Sequence, residues 1–265
     1  MWQVLSQKHL TLDQTGTPLE IDRAEVEQFY QPLARQLIEA GHNRLRLLTA
    51  IAGPPGSGKT AFATLLAAVI NAELHSEQAV VVQQDGWHYT NAYLDSHTIH
   101  HNGQEIPLRR RKGSPETYDT RAAYLFLQRA RQGETLRYPV YSRALHDPVT
   151  DSGMLEAHHR WILVEGNYWL FQDDAWRPFQ ALFDVTIFLT AIPETLIDGL
   201  TQRHLRGGKS PEVVHQHMQT VDIPNITRVL QESSPAQIIV EKKDCQRIAG
   251  ITGQIAPGTF AKNCT

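Results

Sequence analysis

The chain has 265 residues, of which 25 are Lys or Arg and 28 are Asp or Glu, so its formal net charge is -3. Its hydrophobic fraction of 41% and charged fraction of 20% are typical of a globular protein and exclude a largely disordered chain. The near-neutral charge disfavours a dedicated nucleic-acid binder, which usually carries a basic excess.

The first predicted element is a helix over residues 21–40, where apolar side chains recur at helical spacing. Asp22 is a suitable N-cap and Gly41 a suitable stop. Pro32 lies inside the pattern and predicts a kink or a split, because proline has no N–H group to donate. This helix belongs to a predicted N-terminal helical extension over residues 1–43.

Short apolar runs without alternation follow, which predict buried parallel strands, and helical patterns lie between them. Residues 90–118 are polar and predict a long loop. The alternation predicts one α/β domain over residues 1–265, with a central parallel sheet flanked by helices and a peripheral tail over 241–265. The predicted strands cover residues 45–52, 79–82, 161–164, 184–189 and 238–240, and the predicted helices cover 61–72, 121–131, 195–205 and 212–220.

Residues 53–60 read Gly-Pro-Pro-Gly-Ser-Gly-Lys-Thr, which is the P-loop pattern G-x-x-x-x-G-K-[ST] between a predicted strand and a predicted helix. Such glycines let backbone N–H groups surround a phosphate, and the helix directs its positive dipole end at the same anion. Lys59 would reach the outer phosphates, and the Thr60 hydroxyl would bind Mg2+. The alternative is a Gly-Pro turn. The residues predicted to bind ATP and Mg2+ are Gly53, Gly56, Ser57, Gly58, Lys59 and Thr60.

The sequence disfavours two other classes of P-loop protein. GTPases usually carry an Asn-Lys-x-Asp motif that reads the base, and the nearest segment here, residues 241–244, lacks the Asn. A signature of ATP-binding cassettes is also missing from the sequence. A small-molecule kinase is therefore favoured.

Two acidic residues follow predicted strands, at the edge where a parallel sheet carries its functional groups. Asp85 could accept the proton of an attacking hydroxyl and approach Mg2+, and the alternative is a turn or N-cap aspartate. Glu165 follows an apolar strand, a pattern typical of an acid that holds Mg2+. For Glu165 the alternative is a solvent-exposed strand end.

These motifs occur with three further segments in a fixed order. Residues 85–89 read Asp-Gly-Trp-His-Tyr, residues 112–119 read Lys-Gly-Ser-Pro-Glu-Thr-Tyr-Asp, and residues 138–141 read Tyr-Pro-Val-Tyr. Together with the P-loop and the Val-Glu-Gly-Asn segment at 164–167, they resemble the uridine kinase, phosphoribulokinase and bacterial pantothenate kinase superfamily. The likeness is greatest to a nucleoside/nucleotide kinase-like branch that includes candidate fructose kinases. In that branch the first two segments read Asp-Gly-Phe-His-Tyr and Lys-Gly-x-Pro-Glu-Thr-Phe-Asp.

The resemblance implies roles for individual residues. Asp85 matches the family's catalytic base, and Glu165 matches its magnesium-associated glutamate. The segment that looks like the acceptor-contacting part contains Tyr141, Arg143 and His146, and His88 is a further candidate substrate contact.

His146 matches a histidine of uridine kinases, whereas the Tyr-Ser-His of pantothenate kinase has no arginine where Arg143 stands. Arg143 could bind an anionic or polyhydroxylated acceptor, or instead form a structural ion pair with Asp147.

Residues 202–209 resemble the family's helical lid. Arg203 and Arg206 are three residues apart, so a helix would point both the same way, where they would stabilise charge on the transferred group. The alternative is a solvated basic helix end. The glycines at 207–208 would let the lid swing.

Two polar segments of the predicted loop are assigned no catalytic role. The basic run at 109–112 predicts a loop that meets phosphate or acidic residues. His97, His100 and His101 predict a solvated loop rather than a metal site, because no acidic or Cys partner stands at ligand spacing.

We therefore expect an ATP-dependent kinase that transfers the γ-phosphoryl group to a hydroxyl of a nucleoside, a sugar or a pantothenate-like alcohol. The alternative is an ATP-binding regulatory P-loop protein without an acceptor reaction. The N-terminal residues do not form a secretory signal pattern, and no apolar stretch approaches the about 18–20 residues of a membrane span. With only two cysteines, the sequence predicts a cytoplasmic protein with a small-molecule partner, without a membrane or nucleic-acid partner, and with a homodimer left open.

Overall fold

The computed structural model describes residues 1–6, 8, 10–11, 18–101, 103–244 and 247–255. Both cysteines, Cys245 and Cys264, and part of the predicted tail lie outside these residues. Within the described ranges, no helix is both long enough and apolar enough to cross a bilayer.

Helices and strands alternate along most of the chain. The helices are α1 (Trp2–Ser6), α2 (Arg23–Glu25), α3 (Gln31–Gly41), α4 (Lys59–Leu74), α5 (Asn91–Ser96), α6 (Thr120–Arg131), α7 (Pro193–Arg206), α8 (Pro211–His217) and α9 (Ile223–Glu232). The strands are β1 (Leu47–Ala52), β2 (Ala79–Gln83), β3 (Thr98–His101), β4 (Gln104–Pro107), β5 (Leu136–Ser142), β6 (Asp147–Leu155), β7 (Trp161–Gly166), β8 (Val185–Thr190), β9 (Ile238–Lys242) and β10 (Ile248–Gly253).

The main sheet has six strands in the order β10-β9-β8-β1-β7-β2. All neighbouring pairs are parallel except β10 with β9, which is antiparallel. The predicted α/β class with a central, mostly parallel sheet and flanking helices is therefore confirmed. The parallel pairing matters for function because β1, β7 and β2 end at the same edge of the sheet.

Each face of the sheet is covered by a separate apolar layer, as expected for a parallel sheet. In β1, Leu47 and Ile51 pack with α3 and α4 on one face, while Leu48 and Ala50 pack on the other face with β5, α6 and an aromatic segment. That aromatic segment includes the fully buried side chains Tyr168, Trp169, Phe171, Trp176 and Phe179.

The N-terminal helical pattern is continuous rather than broken at Pro32. Asp22 caps α2 by accepting a hydrogen bond from the Glu25 amide at 2.9 Å, as predicted. A π-helical turn over Val26–Tyr30 leads into α3, and Pro32 lies in the first turn of α3. The π-helical turn directly before Pro32, in which the Gln31 amide bonds to the Val26 carbonyl oxygen, accommodates a residue that has no N–H group to donate.

Five features, two of them hairpins, were not predicted from the sequence. The loop predicted over 90–118 contains α5 and the hairpin β3–β4, and the hairpin β5–β6 follows α6. Helix α9 and strand β10 complete the set. The β3–β4 hairpin and β6 are largely exposed, so they lack the apolar runs by which strands are recognised, whereas β5 buries Leu136 and Tyr138 in an alternating pattern.

Gly86 lies where two segments of backbone touch. It follows β2, and a Cβ atom added to it would overlap the carbonyl oxygen of Pro139 in β5. Backbone atoms cannot move aside as a flexible side chain can, so glycine is required at this position. The contact holds the β5–β6 hairpin against the end of β2.

We expect Gly86→Ala to lower the free energy of unfolding by about 1–3 kcal/mol, the usual cost of overpacking. Gly250→Ala is the control, because no atom lies within 4 Å of its added Cβ; it should change stability by no more than about 0.5 kcal/mol. Denaturant unfolding of the three proteins measures both effects. Equal stability of the two variants would contradict the contact.

Candidate active site

The edge of the sheet brings together three segments that are distant in sequence. The P-loop follows β1, Glu165 lies near the end of β7, and Asp85 comes two residues after β2. Strand β7 pairs with both β1 and β2, with Glu165 in register with Ile51 and Gln83. The acidic residues therefore flank the P-loop, as the sequence predicted.

The P-loop adopts a backbone geometry that glycine favours. Gly53, Gly56 and Gly58 have φ angles of 151°, 84° and 79°. A Cβ at Gly53 would overlap the carbonyl oxygen of Leu189, and one at Gly56 would lie 2.7 Å from the carbonyl oxygen of Leu196. This left-handed loop, with α4 beginning directly after it, fits a bound phosphate group.

Lys59 is held inside the loop. Its Nζ donates a hydrogen bond to the carbonyl oxygen of Pro54 at 2.9 Å and lies 3.5 Å from Oγ of Ser57. Burial lowers the pKa of Lys59 to about 8, although the nearby charge of Glu165 opposes this. Phosphate oxygens next to Nζ would supply the negative charge that stabilises the ammonium form.

Thr60 and Glu165 bring two side-chain oxygen atoms together at the end of the P-loop. Oγ1 of Thr60 donates to Oε1 of Glu165 at 2.9 Å. Glu165 is buried, and burial raises its pKa to about 7, although the charge of Lys59 lowers it. A hydroxyl and a carboxylate are suitable ligands for Mg2+, and a cation there would favour the ionised carboxylate.

Asp85 presents its carboxylate to the open cleft. Its side chain is 51% exposed, and Oδ1 accepts a hydrogen bond from the Tyr118 hydroxyl at 3.2 Å. Nε2 of His88 lies 3.8 Å from the same oxygen. One carboxylate oxygen of Asp85 is thus hydrogen-bonded to the protein, while the carboxylate stays accessible to solvent beside the P-loop. A general base needs this arrangement.

Tyr118 and His88 form the wall behind Asp85. Their rings stack with centroids 3.9 Å apart, and both are buried. Burial raises the pKa of Tyr118 well above its ordinary value, so its hydroxyl stays protonated and can donate to Asp85. Burial also lowers the pKa of His88, which favours the neutral imidazole.

The segment predicted to contact an acceptor lies opposite this wall. The ring of Tyr141 is 5.5 Å from that of His88, and burial raises the pKa of Tyr141 to about 12, with Asp85 as a further cause. His146 is exposed in the β5–β6 turn, and its carbonyl oxygen accepts from Nζ of Lys112 at 2.6 Å. This hydrogen bond ties His146 to the site through its backbone.

Two arginines approach the cleft from different elements. Arg143 lies in the β5–β6 turn and Arg203 on α7, and both are exposed. Desolvation by surrounding protein lowers the pKa of Arg203, and the charge of Arg143 lowers it further, while Asp85 and Glu165 raise it. Arg206 instead donates from Nε to the carbonyl oxygen of Gln202 within α7. The structure thus brings Arg203 within electrostatic reach of the other site residues, whereas the side-chain hydrogen bond of Arg206 is to its own helix.

Two residues of this site were not assigned a role from the sequence. Lys112 binds Oδ1 of Asn91 at 2.6 Å and lies 5.1 Å from the centre of the Tyr141 ring. Tyr118 holds Asp85. Both belong to the 112–119 segment, one of those that carry the family resemblance. That resemblance was the feature of the sequence that could have indicated a role for them.

Two other residues of the basic run, Arg109 and Arg111, lie beside acidic side chains, which is one of the two contacts predicted for this run. Arg111 pairs with Glu116 at 3.0 Å, and Arg109 lies 3.6 Å from Asp95.

Comparison with known proteins groups the chain with a single family. The model described as "Phosphoribulokinase / Uridine kinase family" matches residues 48–249. The chain is 29% identical over 234 residues to the uncharacterized protein YggC of Escherichia coli K12, covering 88% of this chain and 94% of that protein. It is 26% identical over 271 residues to a pantothenate kinase of Mycolicibacterium gilvum, covering 86% of this chain and 84% of that protein.

A solved structure shows the same architecture. The crystal structure of a candidate fructose transport system kinase from Silicibacter sp. TM1040 superposes with a TM-score of 0.70 at 29% identity. The match covers 79% of this chain and 97% of that chain.

The raised pKa of Glu165 predicts a pH dependence of stability. Between its ordinary value of 4.5 and about 7, the folded state holds a proton that the unfolded state has released. Stability due to Glu165 therefore falls as pH rises through this window. Glu165→Gln removes this effect. As pH rises from 4.5 to about 7, the free energy of unfolding should therefore increase in the variant relative to the wild type.

Denaturant titrations of the ligand-free protein at several pH values measure this difference. Glu241→Gln makes the same charge change at an exposed position, and the difference in its free energy of unfolding from the wild type should not change with pH. A pH-independent difference between Glu165→Gln and the wild type would show that Glu165 ionises normally.

Proposed function

The chain belongs to the phosphoribulokinase / uridine kinase family, and we propose that it transfers the γ-phosphoryl group of ATP to a hydroxyl of a small polar metabolite. Membership makes it a phosphotransferase with a hydroxyl acceptor that uses ATP with Mg2+. The observation that carries the proposed reaction is the half-exposed carboxylate of Asp85 beside the P-loop, with one oxygen bound by Tyr118.

Each proposed role follows from a position in the cleft. ATP supplies the phosphoryl group, and Mg2+ neutralises charge on its phosphates. Asp85 would accept the proton of the attacking hydroxyl and, from the same edge, would also be near the Mg2+ that Thr60 and Glu165 would hold. Lys59 and Arg203 would stabilise the phosphates as charge builds up on the transferred group.

Arg206 would join this set only if the helical lid moves. Its guanidinium now bonds to its own helix, one turn from Arg203. Gly208 follows α7 with a φ of 85°, and a Cβ added there would have no atom within 4 Å, so the backbone beside it is unobstructed. A hinge at this glycine would let the end of α7 turn toward the P-loop.

The proposed acceptor is polyhydroxylated or anionic. Arg143 enters the cleft close enough for its charge to act on Glu165 and Arg203, and Tyr141 and His88 offer ring edges and polar atoms beside Asp85. His146 would contribute from the rim of the same turn. Relatives named pantothenate kinase and fructose transport system kinase make pantothenate-like alcohols and sugars the first acceptors to examine, followed by nucleosides.

The test is a screen for acceptor-dependent release of ADP across these three classes of alcohol. The proposed kinase gives ADP release that depends on one class of acceptor. A regulatory ATP-binding protein, the alternative function, would release no more ADP with any acceptor than without one.

With the active acceptor in hand, Asp85→Asn should lower kcat by about 10²–10⁴-fold, because the amide cannot accept the proton of the hydroxyl. ATP binding, measured by calorimetry, should stay close to the wild-type value. Asp95→Asn removes an equal charge from a residue on α5 and should leave kcat unchanged. Unchanged turnover of Asp85→Asn would remove Asp85 as the base.

Tyr118→Phe tests how Asp85 is positioned. The variant keeps the ring that stacks on His88 but loses the hydrogen bond to Oδ1, so we expect kcat to fall by about tenfold, as for loss of one hydrogen bond to a charged group. The KM for ATP should not change, because Tyr118 has no contact with the P-loop in this proposal. Tyr93→Phe, which alters an exposed tyrosine, is the control.

A purely structural role for Tyr118 would lower the melting temperature and leave kcat per folded molecule intact. That outcome is distinguished by measuring active-site concentration and thermal stability together. The extent of the single domain over 1–265 and a homodimeric assembly both stay predictions.

A further inference from the structure

Three potential metal ligands meet beside the predicted lid over residues 202–209, and none of them belongs to the proposed magnesium site. His204 comes from α7, His217 ends α8, and Asp222 ends the π-helical turn over Met218–Asp222. One ligand atom from each lies within 4.8 Å of the others. The proposed reaction uses none of these side chains.

The cluster is compact and largely shielded from solvent. Nε2 of His204 lies 2.7 Å from Oδ2 of Asp222, and Nε2 of His217 lies 3.8 Å from the same oxygen. The side chains of His204, His217 and Asp222 are 12%, 31% and 9% exposed. The two imidazole rings are edge-to-face, with centroids 5.1 Å apart.

We propose that His204, His217 and Asp222 form a binding site for a divalent transition-metal ion of the Zn2+ type. Two imidazoles and a carboxylate make a common donor set for zinc, with a fourth position left for water. Bond lengths of about 2.0–2.2 Å in a tetrahedral site place ligand atoms about 3.3 Å apart. The two distances to Oδ2 lie on either side of that value, and all three ligand atoms already lie within 4.8 Å of one another, so side-chain rotations can bring them to this spacing.

The donor set also separates this site from the one proposed for Mg2+. Imidazole nitrogen suits zinc, copper, nickel and iron, whereas Mg2+ prefers oxygen ligands and octahedral geometry. Thr60 and Glu165 offer only oxygen. The two sites would therefore select different cations from a mixture.

Lys209 competes with a metal ion at this cluster. Its Nζ lies 3.2 Å from Nδ1 of His204, so Nδ1 accepts a hydrogen bond and the ring proton sits on Nε2, facing Asp222. Coordination through Nε2 requires the ring proton to move to Nδ1, and Lys209 must then withdraw, because a protonated Nδ1 can no longer accept its hydrogen bond. The ammonium group also repels a cation directly, so Lys209 reduces the affinity of the site.

A bound ion would link α7, α8 and the turn before α9. Arg203 is the residue before His204 on α7, so the site lies beside one of the arginines proposed to act in phosphoryl transfer. The ion would thus stabilise one arrangement of the lid helices. This consequence depends on the proposed lid, but binding of the ion itself does not.

The experiment is a calorimetric titration of the full chain with Zn2+ near pH 7, without nucleotide or Mg2+. We expect one ion per chain and a higher melting temperature in its presence. His204→Ala and His217→Ala should each weaken binding at least tenfold and abolish the thermal shift. His215→Ala removes an exposed histidine from the same helix α8 and should bind as the wild type does.

Lys209→Met tests the proposal without altering a ligand, because it keeps all three ligands and removes only the competing ammonium group. It should bind Zn2+ more tightly than the wild type, by severalfold or more. If either histidine variant fails to fold, as judged by circular dichroism, this tightening still decides the question.

The proposal is overturned if no stoichiometric binding occurs, or if affinity is the same in the wild type, His204→Ala and His217→Ala. The latter result would place the ion at other histidines of the chain. Asp85→Asn should bind Zn2+ normally, so an absent kinase activity and an absent metal site give different results.

Discussion

The active-site edge depends on one packing constraint: β7 lies between β1 and β2, parallel to both. The chain enters the P-loop from β1, carries Glu165 on β7 and leaves β2 just before Asp85. Because parallel strands end at the same edge, groups more than a hundred residues apart face one cleft. The apolar layers on the two faces hold this order, since every residue of β1 and β7 is buried.

The same burial sets the electrostatics of the cleft. Lys59 and Glu165 are of opposite sign, yet desolvation outweighs their mutual attraction and shifts both pKa values toward the neutral forms. A buried pair of charges usually gains little net stability, because each loses its hydration. The arrangement instead favours a highly charged ligand: a triphosphate stabilises the ammonium, and a divalent cation stabilises the carboxylate. Ligand affinity and the stability of the empty protein are thereby coupled through the same atoms.

The opposite side of the cleft is built from elements outside the main sheet. Gly86 brings the β5–β6 hairpin into backbone contact with the end of β2, and Lys112 bonds to the turn of that hairpin through the His146 carbonyl. His88, Tyr118 and Tyr141 fill the space between them. Asp85 is therefore oriented by a wall to which three separate segments contribute residues. Helix α7 places Arg203 within electrostatic reach of Asp85 and Glu165.

The sequence by itself determined the fold class and the centre of the site. Buried strands, the P-loop and the two acids that follow strands are local patterns, and their physical causes (apolar runs, glycine backbone freedom and strand polarity) act over a few residues. Only the tertiary structure decided the rest. Tyr118 reaches Asp85 across 33 positions, and Lys112 meets a turn 34 residues away.

Such contacts depend on packing between elements that have no common periodicity. The exposed β3–β4 hairpin was missed for a related reason, since strands without a buried face carry no apolar run. The cluster of His204, His217 and Asp222 forms only when α7, α8 and the turn after it fold against one another. The spacing along the chain predicted the same role for Arg203 and Arg206. The packing of α7 instead places Arg203 within electrostatic reach of the cleft and leaves Arg206 bonded to its own helix.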